Sequence, residues 1–482
     1  MLRIVILAAG AFGAYIASKK AWGMIREKAD GKSKGGGEGG AGAAAGVEEG
    51  GGVGEDGDGG PMQVLARGAT CLQSNMGPWS IADMTIGLTA MAKVTEKKPP
   101  QPPGKEVTDL SKDANFLLRA QHWRALSEAV YVKDSASFSL FTTLPESALV
   151  AASWEPHPET FRPAYAVFVD APYGAVVLAV RGTSHIIDML LNSGASPEPF
   201  GDNDGYAHGG FVHAAKVLHK EVVPHIEKAF KDHSGNQKEL KLVVVGHSLG
   251  AAVGTLISLM LREQWPNLQC WAYCPPACMS LDLAKECSSF TTSFVAAHDL
   301  VPRISLKSVE KLRSRIHDFD WDEVEVVAKD DEDWQNLKKG METFQNFQQT
   351  QQDAMNKISN LSGNQEEEKQ NDGKQEEENS QSEEKKCSPQ PLHPPGRLLV
   401  MGSDPPGCGK MPEQRSKVAP QRNYGSYPNF DEAKKITWRM FEAQQEDMEE
   451  IIVSPWIISD HMLGNICEAI GYFQACCPPA VK

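Results

Sequence analysis

The chain has no surplus of positive charge: 48 Lys and Arg stand against 63 Asp and Glu, for a formal net charge of −15. Binding nucleic acid requires clustered basic side chains that displace counterions from phosphates. No such cluster is present, so a nucleic-acid partner is not expected. Cysteine is sparse for the length, ten in 482 residues, which rules out a disulfide scaffold. Cys270, Cys274 and Cys278 recur at four-residue intervals, but around an apolar run and a Pro-Pro pair and without the paired spacing of a zinc site. Buried free thiols in a reducing compartment account for them, and neither a metal nor a cofactor is expected.

Long hydrophobic runs are also scarce. The single candidate, residues 2–18 (LRIVILAAGAFGAYIAS), carries only Arg3 and is followed by Lys19, Lys20, Arg26 and Lys28. It reads as a marginal membrane anchor, since spanning needs about 20 apolar residues. Its positive flank then leaves the rest of the chain in the cytosol. A targeting peptide is the second reading, as no acid precedes Glu27. A dinucleotide-binding turn is the third, and it is disfavoured because glycine-rich low complexity follows instead of a second strand.

Composition divides the chain into a hydrophobic N-terminal segment (1–24), a Gly/Pro-rich linker (25–104), the first part of a folded domain (105–320), an acidic insertion (321–390) and the domain's C-terminal part (391–482). Residues 361–386 hold eight Glu and one Asp against four Lys. A stretch of that kind buries too little apolar surface to offset its ordering entropy, so it is expected to be disordered. It is also a place for a protein partner or for regulation. A helical face runs through Phe116, Leu117, Ala120, Trp123, Leu126 and Val130. The runs Ala166–Asp170 and Ala175–Val180 read as strands around the turn APYG. A helix over 210–230, a strand Leu242–Val245, and strands Cys270–Cys274, Ser293–Ala297, Gly396–Met401 and Glu449–Val453 follow, with a helical tail over 463–473. This alternation predicts an α/β fold, with a mainly parallel sheet covered by helices on both faces.

The strongest chemical signal is Gly246-His247-Ser248-Leu249-Gly250, directly after Val243-Val244-Val245 and before a helix opening with Ala251, Ala252 and Gly254. A nucleophile on a sharp strand-to-helix turn needs small residues two positions to either side, which is the physical content of Gly-x-Ser-x-Gly. Serine at its own pKa is a poor nucleophile and needs a base oriented by an acid. On this kind of fold the chain order is Ser, acid, His. Asp299, after the strand Ser293–Ala297, meets the order as acid, although turn capping is its plainer role. His461, on a loop late in the chain, meets it as base; His247, His298, His317 and His393 are its rivals. Arg181-Gly182-Thr183 leaves the second β-run. A backbone N–H from Thr183 and that of Leu249 would hold a developing oxyanion. Asp188 would brace this loop or simply favour a helix N-terminus. The apolar cluster Ile186, Ile187, Met189, Leu190 and Leu191 is buried core or a mobile lid.

These motifs together resemble the class 3 lipase family and, within it, the sn-1-specific diacylglycerol lipases. The segments that carry the resemblance are LAVRGTSHIIDMLLN (178–192), HGGFVHAA (208–215), VVVGHSLGAAVGTLISL (243–259), CPPACMSLDLA (274–284), FVAAHDLVPRISL (294–306), PPGRLLVM (394–401) and IVSPWIISDHMLGNICEAI (452–470). The resemblance implies an α/β-hydrolase fold with Ser248 as nucleophile, Asp299 as acid, His461 as base and Thr183 at the oxyanion hole. It implies no metal and no cofactor, and a glycerolipid substrate met at a membrane or lipid-droplet surface. Diacylglycerol is the first substrate to expect, with phospholipid or galactolipid acyl hydrolysis (A1 type) as the near alternative. A catalytically silent scaffold is the alternative from another class. The sequence departs from the family at Asn192, where a second aspartate is frequent, and in having one marginal hydrophobic run in place of a multi-span N-terminal domain.

Overall fold

The computed structural model describes residues 81–157, 161–182, 197–201, 204–233, 240–332, 334–336, 338–339, 350, 390–404, 406, 437–457 and 459–476. The segment 1–24, Thr183, Asp188, the apolar cluster 186–191 and the acidic stretch 361–386 lie outside them.

In chain order the described elements begin with helix α1 (Ile81–Lys97), strand β1 (Lys105–Glu106), and helices α2 (Ala114–Ala129) and α3 (Ser135–Thr142). Strands β2 (Leu149–Ser153), β3 (Tyr165–Asp170), β4 (Ala175–Val180), β5 (Pro197–Pro199) and β6 (Tyr206–His208) precede helix α4 (Gly209–Asp232). Then come β7 (Lys241–His247), α5 (Leu249–Leu261), β8 (Gln269–Tyr273), α6 (Leu281–Glu286) and β9 (Thr291–Ala296). Helices α7 (Leu306–His317) and α8 (Trp321–Val327), strands β10 (Arg397–Asp404) and β11 (Thr437–Ala443), and helix α9 (Leu463–Cys476) complete the series.

Nine strands form one mixed sheet in the order β1-β11-β10-β9-β8-β7-β4-β3-β2. Its centre, β4-β7-β8-β9-β10, is parallel, whereas β2-β3-β4 on one side and β10-β11-β1 on the other pair antiparallel. The parallel centre is buried on both faces, and so β4 (AVVLAV) is apolar at every position. Alternate side chains sort onto two layers. Val176, Leu178, Leu242 and Val244 pack beneath α4, α5 and α6. Val177, Val243, Val245, Tyr273 and Phe294 pack beneath α2 and α9 on the opposite face. Local capping fixes the entry of α2, where the Asp113 carboxylate accepts from the amides of Asn115 at 2.9 Å and Phe116 at 3.0 Å.

The structure corrects several sequence expectations. The linker 25–104 contains α1, whose Ala90 and Met91 are buried. The insertion expected over 321–390 begins with an ordered part, because α8 and Trp334 pack on α1 through Val324 and Ala328. Each helix looks marginal alone; the partner that completes its core lies over 200 positions away, as the Lys93–Asp331 ion pair at 2.5 Å across 238 positions illustrates. Residues 449–453 form no strand. Ile451 and Val453 instead fill a small core with Met91, Ala92 and Ile316. The late strand is β11, where Trp438, Met440, Phe441 and Ala443 are buried between partly exposed polar residues.

Candidate active site

Ser248 stands between the end of β7 and the start of α5, with φ 58° and ψ −128°. That backbone region is unfavourable for a non-glycine residue and costs on the order of 1–3 kcal/mol. Surrounding packing imposes it. A methyl group on Gly246 would strike the backbone of Gly250, and one on Gly250 would strike the carbonyl of Val180 in the neighbouring strand. The two glycines thus let β7, β4 and α5 close around the turn that carries the serine. Leu249, half-buried, opens α5, where the first amides have no intrahelical partner and the helix dipole favours negative charge.

The imidazole of His461 lies between two distant residues. Its Nε2 is 3.0 Å from Ser248 Oγ. Its Nδ1 is 3.1 and 3.2 Å from the two carboxylate oxygens of Asp299. Asp299 is fully buried, and the three side chains are joined across 213 and 162 positions of sequence. Asp299 also performs the plainer role foreseen for it, since its Oδ1 accepts from the amide of Val301 at 2.9 Å. A carboxylate beside Nδ1 fixes the tautomer, so Nδ1 carries the proton and Nε2 faces the serine as an acceptor.

None of the rival histidines takes that place. His317 is exposed and pairs with Asp318. His393 bridges to Met279, and the ring of His298 stands edge-on to Trp456 at 5.1 Å. His247 adjoins the site, but its Nε2 meets the backbone carbonyl of His461 at 3.0 Å.

Several groups around the site carried no sequence signal. Asp460 is buried beside His461. Its Oδ2 accepts from the amide of His298 at 3.0 Å and its Oδ1 from Asn465 Nδ2 at 2.9 Å. Burial, reinforced by the neighbouring Asp299 charge, pushes its carboxyl up to about 7. Cys274 directly follows β8, at φ 50°. Burial and then Asp299 raise its thiol well above the usual range, which keeps it a neutral donor toward that carboxylate. Tyr131 meets His247 Nδ1 at 3.3 Å and accepts from the amide of Gly182 at 3.1 Å. These residues are brought in by tertiary packing, and no short motif contains them. Thr183 lies outside the described residues; its neighbour Gly182 sits against the His247 carbonyl and Ser248.

Among the described residues, one group has ligand atoms close enough for a metal ion: His247, Cys274 and His461, all within 4.8 Å of one another. Its donors are already engaged. Both nitrogens of His461 face Ser248 and Asp299, and both nitrogens of His247 are taken as well. A cation there would have to break these contacts, and the donor set fits a hydrogen-bonded array better than a coordination sphere.

Residues 177–309 match the family described as lipase (class 3). Human diacylglycerol lipase-alpha is 35% identical over 170 residues, which are 34% of this chain and 16% of that protein. Mouse diacylglycerol lipase-beta is 32% identical over 167 residues, covering 33% and 24%. The secreted mono- and diacylglycerol lipase A of Penicillium cyclopium is 33% identical over 147 residues, covering 30% and 47%. The matched region therefore spans less than half the length of each of these relatives. Among solved structures, a mutant form of the Penicillium cyclopium enzyme MDLA aligns at TM-score 0.35 and 24% identity over 42% of this chain and 78% of that one. The Rhizomucor miehei lipase propeptide complex aligns at TM-score 0.35 and 19% identity, over 42% and 64%. By sequence, residues 177–309 resemble a class 3 lipase segment, and the chain resembles the diacylglycerol lipases over that part.

Proposed function

We propose that this protein is a carboxylic-ester hydrolase that cleaves fatty-acyl esters of glycerolipids by way of an acyl-enzyme on Ser248. The observation that carries the reading is the continuous array from Ser248 Oγ through His461 to Asp299, at 3.0 and 3.1 Å. In the proposed reaction, His461 Nε2 takes the hydroxyl proton as Oγ attacks the ester carbonyl. Asp299 balances the imidazolium that forms. The amides of Leu249 and Thr183 receive the oxyanion, and His461 returns the proton to the departing alcohol. Water, activated by the same imidazole, then releases the fatty acid and restores the serine. The reaction needs no metal or cofactor.

The names of the relatives favour diacylglycerol as first substrate. A phospholipid or galactolipid uses the same chemistry at the acyl ester and differs only in the head group that the site must admit. Residues 1–24 would hold the protein at a membrane from its cytosolic side; no helix among the described residues is long and apolar enough to cross one. The acidic insertion would serve a protein partner or regulation.

A fluorophosphonate probe tests the chemistry. Labelling of the wild type but not of Ser248→Ala supports a serine hydrolase. Absence of labelling in both makes the chain a lipase-like scaffold. Release of fatty acid from vesicles containing diacylglycerol, phosphatidylcholine or galactolipid then ranks the substrates.

A further inference from the structure

His247 Nε2 faces a backbone carbonyl, that of His461, at 3.0 Å. A carbonyl can only accept, so Nε2 must carry the ring proton. Burial, with the neighbouring His461 adding to it, pushes the pKa of His247 down to about 3. The ring is therefore neutral and its Nδ1 is a bare acceptor. Tyr131 Oη lies 3.3 Å from that nitrogen and is the group that can donate to it. The remaining lone pair of the phenol accepts the amide of Gly182 at 3.1 Å. Burial raises the phenol to about 12, so its proton stays in place at neutral pH.

Each proton in this chain has one direction: Gly182 N–H to Tyr131, Tyr131 O–H to His247 Nδ1, His247 Nε2–H to the carbonyl of His461. The two ends matter. Gly182 immediately precedes Thr183 on the strand exit, and His461 holds Ser248. Space at the first end is tight as well, for a methyl on Gly182 would lie 2.5 Å from the His247 carbonyl, 2.7 Å from Tyr131 Oη and 3.2 Å from Ser248 Cβ. Arg181 stacks over the Tyr131 ring at 5.2 Å, and its Nη1 donates to the carbonyl of Trp154 at 3.0 Å. The phenol is thereby held from its outer side too.

We propose that Tyr131 and His247 are positioning residues, a buried relay that sets the entry of the oxyanion loop and the backbone of the catalytic histidine in one mutual register. The inference rests on the hydrolase reading above. Neither residue touches the reacting ester. Their effect is on the distance between the oxyanion donors and the serine–histidine pair, a relation that matters most as charge develops.

Tyr131→Phe removes one oxygen and little volume. With a soluble ester, kcat should fall about tenfold while KM stays within about twofold, because the lost interaction bears on the transition state. His247→Gln, which retains an N–H near the Nε2 position, should keep more activity than His247→Leu. Tyr131→Phe should have little further effect in the His247→Leu background, as coupled residues are non-additive. A kcat for Tyr131→Phe within about twofold of wild type, or singles whose effects simply multiply, would overturn the relay. A second readout does not depend on turnover. In ring-¹⁵N histidine spectra, His247, identified by its loss in His247→Gln, should show Nε2 protonated and Nδ1 bare, with no titration across neutral pH. A protonated Nδ1 would overturn the relay even in an active enzyme. A wild type that neither labels with fluorophosphonate nor turns over would sink the hydrolase reading instead, and the spectrum would still decide the relay.

Discussion

The amide of Leu300 donates to the carbonyl of Ile457 at 3.3 Å, joining the residue after Asp299 to the loop that delivers His461. Behind this contact the buried Arg303 reaches both sides. Its Nη1 donates to the carbonyls of Asp447 at 3.2 Å and Glu450 at 3.1 Å, and its Nη2 to that of Ala297 at 3.2 Å. The loops bearing Asp299 and His461 are therefore tied through backbone, and their side chains meet because the loops do.

Asp299→Asn should keep the fold and lose the chemistry. The amide can donate to Nδ1, which favours the tautomer with the proton on Nε2 and leaves the serine without a base. A fall in kcat on the order of 10⁴ is expected, read with a soluble ester alongside an unchanged thermal midpoint. Activity within about tenfold of wild type would show that Asp299 does not orient the base.

The pH dependence of stability should carry a signature of Asp460. Its carboxyl rises from 3.8 to about 7 on folding, so between those values the folded state keeps a proton that the unfolded chain has released. That stabilisation is full below the unfolded pKa and is lost as pH climbs through the folded one. The loss is on the order of 4 kcal/mol across the window. Thermal midpoints measured from acid to neutral pH should fall in the wild type and fall less in Asp460→Asn. Equal slopes would show that the group titrates normally.

Gly250→Ala should be far costlier than an ordinary surface change. The added methyl meets the carbonyl of Val180, which belongs to a fully buried strand and cannot retreat. A destabilisation of roughly 2–4 kcal/mol is expected, measured by the urea midpoint. A cost below about 1 kcal/mol would mean the turn is looser than its geometry indicates.

Met91→Asp tests whether α1 belongs to the domain. Met91 shares a small core with Ile451 and Val453, ahead of His461, and Leu300 and Ile457 pack on its edge. An unpaired buried charge there should cost roughly 2–5 kcal/mol and lower kcat through the histidine loop. Lys98→Ala, at an exposed pair with Glu323, should change stability by less than about 1 kcal/mol. If both variants unfold like the wild type, α1 is an appendage.

The serine turn was legible from local sequence because its constraints are local. The crowding that demands Gly246 and Gly250, and the valines that make β7, all fall within one short stretch. Chain order points to Asp299 and His461 among many acids and thirteen histidines, and the fold brings these two within hydrogen-bond distance of each other and His461 within that distance of Ser248. Helices α1 and α8 are not legible locally, because the core that holds them is shared between segments over 200 positions apart. Strand β11 is hard to read locally because its buried residues divide between two cores, Trp438 and Met440 on one side and Phe441 and Ala443 on the other, with Arg439 and Glu442 between them.

What the sequence by itself determined is the chemistry available: one serine on a strained turn, with an aspartate and a histidine following in the required order. Only the tertiary structure decided the rest, namely that His461 and not His247 faces the serine, that Tyr131 and Asp460 stand around it, and that a helix from the supposed linker braces the loop behind it. The physical reason is range. A turn is dictated by neighbours two residues away, whereas a hydrogen bond across 213 positions exists only where the whole sheet and its covering helices have brought both ends together.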